Sequence, residues 1–243
     1  SITKDLLVRI RDSMIHRGPD DAGVYISPDK KAGLAHRRLS IIDLSEAAHQ
    51  PMCNEDGTIW ITYNGEIYNY LELRAELISK GYEFRSESDT EVVLNAYQEW
   101  GADCLNKFNG MWAFAIWDHK KKRLFCSRDR FGIKPFYYYS DGNIFIFASE
   151  IKQILECEEY QRNPNEKIIY DYLVIGLEDH TSETFFKDIY QLRGGEYAIV
   201  DLDSRTFQKK RFYDLSNGCV INCKEGDYYE KFKELFIDAV NLR

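Results

Sequence analysis

MWAFAIWDHKKKRLFCSRDR, residues 111–130, decides the fold. Met111–Asp118 is an apolar, aromatic-rich run, His119–Lys122 is a charged turn, and LFCSRDR follows it. This predicts a hairpin in a well-buried antiparallel sheet. Working outward, a second hairpin turns at Asp141-Gly142 and is closed by FIFAS. A third runs through EYAIVDL and TFQKKRFYD. Towards the N-terminus, strands are predicted over Ala22–Ser27 and Lys31–Ile42, joined by a polar PDKK turn. Thr58–Asn64 is a further strand, rich in β-branched and aromatic residues.

Helices lie around these strands. Thr3 is an N-cap with Asp5 in the first turn, and Leu6, Leu7, Ile10 and Met14 form one stripe, stopped by Gly18-Pro19. Asn69 caps a helix with the stripe Leu73, Leu77 and Ile78, and Gly81 lies past its end. Ser88 and Glu91 form a capping box before a helix ending near Gly101. NPNEKIIYDYLVIG is a helix with Pro164 near its start. From Asp227 the period turns helical, with Tyr229, Phe232, Leu235 and Phe236, up to Arg243. Consecutive hairpins covered by amphipathic helices give an α+β fold.

The chain has 243 residues, with 32 Lys+Arg against 40 Asp+Glu, a net charge of −8. An acidic balance without a basic stripe argues against nucleic acid as a partner. No long uncharged apolar run would span a membrane, and the start, SITKDLLVRIRD, has charges inside its apolar stretch, unlike a signal peptide. The six cysteines, Cys53, Cys104, Cys126, Cys157, Cys219 and Cys223, are scattered. No second CxxC or His pair accompanies Cys219 and Cys223, so no metal site is expected. Free thiols in a reducing cytoplasm are the expectation.

Four polar clusters sit where elements end. Arg17-Gly18-Pro19-Asp20 is either a helix stop with a local ion pair or part of a site. In His36-Arg37-Arg38-Leu39-Ser40-Ile41-Ile42, the adjacent arginines point to opposite faces of a strand, so one meets solvent and the other must meet an anion. Asn64-Gly65-Glu66-Ile67-Tyr68-Asn69 combines an amide donor with a glycine that lets a backbone N–H approach a ligand, which suits an oxyanion hole; a simple turn is the alternative. Ser88-Asp89-Thr90-Glu91 is an ordinary helix cap or an anionic clamp. Together they offer a cation for a carboxylate, an anion for an ammonium, and donors for a developing oxyanion. Those are the needs of an enzyme that grips a free amino acid and attacks its side-chain carbonyl.

The series HRGPDDAG, LAHRRLSIIDLS, HQPM, YNGEIYNYLELR, SDTEVVLNAYQEWG, NGMWAFAIWD and SRDRFGIKPFYY resembles the glutamine-hydrolysing asparagine synthetase family, from about Met14 to about Leu155. Weaker similarity continues to the final helix. Where that family commonly carries Pro-Pro-Gly, this chain has Arg193-Gly194-Gly195. The resemblance implies an N-terminal-nucleophile hydrolase fold, an αββα sandwich of two antiparallel sheets. It implies a class II glutamine amidotransferase domain over residues 1–213, with 214–243 a linker and the first helix of a synthetase domain. Carried onto this sequence, Arg38 would pair with the glutamine carboxylate, and Leu39, Ser40, Ile41 and Ile42 would line the site through their backbone. Asn64 and the Gly65 N–H would form the oxyanion hole, Asp89 with Glu66 would hold the ammonium, and Arg17 and Asn69 would support the site from behind. Arg38, Asp89, Asn64 and Gly65 should then face one cleft.

The resemblance also implies parts that are not in residues 1–243. The family nucleophile is a cysteine at the start of a strand preceding the first helix, where its own α-amine serves as base. Ser1 directly precedes the helix and is not a substitute. ATP and magnesium would belong to the synthetase part, which amidates aspartate with the ammonia released. Glutamine and that synthetase domain are the expected partners, and a homodimer the expected assembly. The competing readings are a relative without the nucleophile, of the β-lactam synthetase kind, a non-catalytic domain, or amidation of a different acid. The 243-residue chain as written should show no glutaminase activity, because an oxyanion hole supplies no nucleophile. Incubation with glutamine and a coupled glutamate assay checks this. Turnover abolished by Ser1→Ala or by changing an internal cysteine would refute it.

Overall fold

A computed structural model describes residues 1–40, 43–218 and 226–242. The predicted hairpin forms the centre of a six-stranded antiparallel sheet. Its strands are β3 (Met52–Cys53), β4 (Ile59–Ile67), β5 (Gly110–Asp118), β6 (Arg123–Arg128), β10 (Glu196–Asp201) and β11 (Thr206–Arg211), in the spatial order β11-β10-β6-β5-β4-β3. Side chains alternate along each strand, and both faces are covered. Ile61, Tyr63 and Ile67 of β4 with Trp112, Phe114 and Ile116 of β5 pack on one side against α2 (Tyr70–Ser79), α3 (Asp89–Trp100) and α4 (Cys104–Lys107). Ala113, Ala115 and Trp117 point the other way, into a core shared with Leu34, Phe136 and Tyr138.

That second core belongs to a second strand layer, built in two pieces. One is the hairpin of β1 (Asp21–Ile26) and β2 (Gly33–Arg38). The other is a three-stranded sheet, β8-β7-β9, of β7 (Tyr137–Ser140), β8 (Phe145–Ala148) and β9 (Ile189–Gln191). Outside it lie α1 (Lys4–Asp12), on β1 and β2, and α5 (Ile151–Leu155), whose Ile154 joins a small core with Ala148, Tyr160 and Ile189. The layers run helix, sheet, sheet, helix. No helix among the described residues is long and apolar enough to cross a membrane.

Several elements differ from expectation for identifiable reasons. β4 does not stop at Asn64. β5 continues to pair with it as far as Ile67↔Gly110, so Asn64, Gly65 and Glu66 lie within the strand. β2 covers only Gly33–Arg38 of the predicted Lys31–Ile42. Beyond it the Ser40 N–H turns to the Asp20 carboxylate (2.8 Å), and Ile41 and Ile42 lie outside the described residues. α1 ends at Asp12, and Ile15–Arg17 is a separate 3₁₀ turn. Thr3 caps α1 as predicted. Ile78 is 54% exposed, so the buried stripe of α2 is only Leu73 and Leu77. Asn69 sits at the cap position of α2 but gives its side chain to the 107–109 loop, accepting from Asn109 N (2.8 Å) and donating to Lys107 O (3.0 Å). Ser88 caps α3, whereas Glu91 forgoes the box and accepts from Arg85 N, Ser86 N and Ser86 Oγ. The NPNEKIIYDYLVIG segment is α6 (Glu166–Tyr170) followed by a wider turn, Asp171–Ile175, ended by Gly176 at φ 74°. The last helix, α7 (Asp227–Asn241), buries none of its described residues.

Gly65 lies where β4 runs close against β5. A Cβ there would overlap the Met111 carbonyl oxygen and lie 2.8 Å from Trp112 Cα, both backbone atoms of β5. Gly65→Ala should therefore cost about 1–3 kcal/mol of stability through overpacking. Chemical denaturation checks this, and an unchanged midpoint would show that β4 and β5 can move apart.

Candidate active site

The outer edge of β4 carries the site. β3 pairs with β4 only at Trp60 and Ile61, and from Thr62 onward β4 has no neighbouring strand on that side among the described residues. Its outward N–H groups need other partners. The Tyr63 N–H donates to Gln50 Oε1 (2.7 Å), and the Ile67 N–H donates to Asp89 Oδ2 (3.0 Å). Backbone amides alternate between the two edges of a strand. Gly65, midway between Tyr63 and Ile67, therefore directs its N–H to the same open edge. The Asn64 amide, on the face turned to the second strand layer, makes no side-chain hydrogen bond to any described residue.

Asp89 is the first residue of α3 and is 4% exposed. Its Oδ2 also accepts from Tyr63 Oη (2.7 Å). Burial raises its pKa above the ordinary carboxylate value, and the nearby Glu66 charge adds to the rise. The Ile67 N–H and the Tyr63 hydroxyl act against it. A buried carboxylate beside a second one is a poorly compensated charge, and a bound ammonium would relieve it.

Arg38 arrives from the other layer. On β2, Leu34, His36 and Arg38 share the face turned to the main sheet. Tyr25, paired with Leu34, stacks on Trp60 at 3.9 Å, and His36 Nδ1 lies 3.1 Å from Thr62 Oγ1. His36 thus meets Thr62, and the next residue of that face is Arg38 on β2 and Asn64 on β4. Arg38 is 9% exposed, and its guanidinium donates to the carbonyls of Ser45 (3.2 Å) and Asp43. Among the described residues two of its five N–H groups are so used, which leaves capacity for a carboxylate. Asp43 Oδ2 in turn accepts from Glu87 N (3.0 Å), two residues before Asp89, so the 43–45 loop links the cationic and anionic ends. Arg37 points to the opposite face, as predicted, but does not meet solvent: it donates to Gly18 O (2.7 Å) and lies 3.6 Å from Asp12, its side chain 14% exposed.

The remaining predicted residues divide. Glu66 lies on β4 beside the site, Leu39 is 56% exposed, and Ser40 is held by Asp20. Ile41 and Ile42 are outside the described residues. Arg17 turns its guanidinium to Glu150 (3.2 Å), the N-cap residue of α5. Asn69 is likewise committed to the 107–109 loop. Sequence reasoning did not single out Gln50, Tyr63 or Asp43. Gln50 and Tyr63 lie in the quoted HQPM and YNGEIYN motifs, but nothing in their spacing announced a hydrogen bond across the chain.

Among the described cysteines, Cys104 and Cys126 are buried with their thiols pushed far up by desolvation, and burial pushes Cys157 up to about 11. They are poor thiolate donors.

The pattern of known glutamine amidotransferase domains matches residues 1–213. This chain belongs to the class II glutamine amidotransferase family. Among curated amidotransferases, asparagine synthetase [glutamine-hydrolyzing] 1 of Bacillus subtilis is 45% identical over 98% of this chain, which covers 37% of that protein. Asparagine synthetase [glutamine-hydrolyzing] 2 of the same organism is 38% identical over 98% of the chain, covering 32% of it. The chain thus spans about a third to a half of the length of the curated relatives it matches. Among solved structures, the glutamine phosphoribosylpyrophosphate amidotransferase of B. subtilis superposes with a TM-score of 0.56 at 18% identity, over 83% of this chain and 45% of that one. That likeness bears out the predicted N-terminal-nucleophile sandwich.

Between the layers, burial and the Arg38 charge lower the His36 pKa from 6.5 to about 4. The unfolded chain takes up this proton near 6.5 while the folded amidotransferase resists it until about 4. The stability contribution is therefore full above 6.5 and lost as pH falls towards 4. The loss should be on the order of 1–3 kcal/mol. Denaturation at pH 7 and pH 4.5 should show it, and His36→Gln should make the difference between those two pH values smaller. An equal difference in both proteins would mean that His36 is not held neutral.

Proposed function

We propose that this domain binds glutamine and hydrolyses its side-chain amide to glutamate and ammonia. The observation that carries this reading is the outer edge of β4, where the outward Gly65 N–H lies between the paired amides of Tyr63 and Ile67, the second of them bonded to Asp89. In this reading Arg38 takes the α-carboxylate through its uncommitted N–H groups. Asp89, with Glu66, takes the α-ammonium. The side-chain carbonyl then lies at Asn64 and the Gly65 N–H, which stabilise the oxyanion as a thiolate adds to the carbon. The C–N bond breaks with proton transfer to nitrogen, ammonia leaves, and water releases glutamate from the thioester. The nucleophile is proposed to be a cysteine outside residues 1–243, with its own α-amine as base.

For the ammonia, we propose ATP- and magnesium-dependent amidation of aspartate elsewhere in the gene product. The printed names of the B. subtilis relatives support this. A different acid is the competing product, since the groups that would select the acid are not in this domain.

In the full-length gene product, Arg38→Ala should raise the KM for glutamine by some tens to thousands of fold, from loss of a charge-assisted contact worth about 2–5 kcal/mol. Synthesis driven by added ammonia should survive. Equal loss of both activities would show that Arg38 supports the fold and not the substrate.

A further inference from the structure

We infer that His49 and Gln50 form a positioning bridge that sets the span between the carboxylate-binding and ammonium-binding ends of the site. The inference rests on the glutamine-site reading above. The two residues are adjacent in the chain, and their side chains reach opposite layers. His49 Nδ1 donates to Asp21 Oδ2 at 2.7 Å, and Asp21 is the β1 residue paired with Arg38 on β2. Gln50, 6% exposed, accepts from Tyr63 N through Oε1 (2.7 Å) and donates through Nε2 to Thr90 Oγ1 (3.3 Å). Thr90 adjoins Asp89, and Tyr63 also holds the Asp89 carboxylate through its hydroxyl (2.7 Å).

Gln50 and Asp89 thus bracket the Gly65 amide on one strand edge, and Gln50 is joined to the Asp89 end twice, through Tyr63 and through Thr90. His49 joins the same backbone to the Arg38 end. Gly23 makes room for this. A Cβ on Gly23 would overlap the Gln50 carbonyl oxygen and lie 2.6 Å from His49 Nε2, so only glycine lets the bridge lie flat on β1. Neither His49 nor Gln50 is placed to touch the reacting amide. Their role is to fix where Arg38 and Asp89 stand relative to one another, and so to select a ligand whose carboxylate and ammonium share one carbon. A displacement of about 1 Å at such a clamp is enough to weaken binding strongly.

The test is steady-state glutamine hydrolysis by the full-length gene product. Thr90→Val removes the acceptor for Gln50 at nearly constant volume, and Thr90→Ser keeps it. Gln50→Leu removes both of its bonds, and Thr90→Val carries the test if that variant does not fold. Loss of a buried hydrogen bond here should raise the KM for glutamine about 5- to 100-fold. The kcat should be little changed, as for an interaction made equally in ground and transition states. Thr90→Ser should restore the wild-type KM, and ammonia-driven synthesis should be unaffected. Introduced into an Asp89→Ala background, Thr90→Val should have little further effect, because it acts through Asp89. An unchanged KM in Thr90→Val, or a parallel loss of kcat, ammonia-driven synthesis and melting temperature, would overturn the bridge as a positioning device. If Asp89→Ala raises KM while Thr90→Val does not, the bridge alone is wrong. If Asp89→Ala itself leaves KM unchanged, the glutamine-site reading falls and the bridge with it.

Discussion

The requirement that a strand amide be paired organises this molecule. β3 accompanies β4 for two residues and then ends, and a strand edge so placed cannot leave its donors without partners among packed side chains. The chain meets the need with Gln50 at Tyr63 and Asp89 at Ile67, two side chains in place of a third strand. Continuing β3 would have paired Gly65 as well and closed the edge. The short strand therefore leaves a backbone donor available, in a sheet rigid enough to hold its direction.

Charge is distributed to match. At one end Arg38 is satisfied by carbonyl oxygens and not by a bonded carboxylate, so its positive charge is positioned without being cancelled by direct ion pairing. The neighbouring His36 is kept neutral by burial and by that charge, so no second cation competes at working pH. At the other end, burial and Glu66 make Asp89 hard to ionise, while Tyr63 and the Ile67 N–H favour the ionised form. Binding sites commonly store free energy in this way, giving up stability for affinity.

The hairpins were legible because their signal is local: the apolar run Met111–Asp118 and the strand that opens at Leu124 flank a charged turn whatever surrounds them. That one of the two adjacent arginines needs a partner was legible, but not which: Arg37 lies beside Asp12 (3.6 Å), and Arg38 rests on carbonyl oxygens. The end of β4 was not legible, because Asn64-Gly65 reads locally as a turn and only the distant β5 keeps it extended. The caps divided on the same ground. Thr3 serves its own helix, whereas Asn69 is claimed by a loop 40 positions on and Glu91 by the turn at Arg85 and Ser86 just before its helix. Gln50 carried no periodic signal at all, being a loop residue whose partners lie 13 and 40 positions away.

Among the described residues the hairpin of β1 and β2 shares no strand pairing with either neighbouring sheet. It is held to the main sheet by Leu34 in the inter-sheet core, by the Tyr25–Trp60 stack, and by side-chain bonds at His36 and Asp21. Such a unit can open by itself, at a free energy below that of global unfolding. Its amides would then exchange with solvent sooner than those of β4 and β5, which lie at the centre of a continuous ladder. Arg38 rides on the separable unit and Asp89 on the lasting one. Glutamine, by touching both, would act as the tie that slows the hairpin's opening.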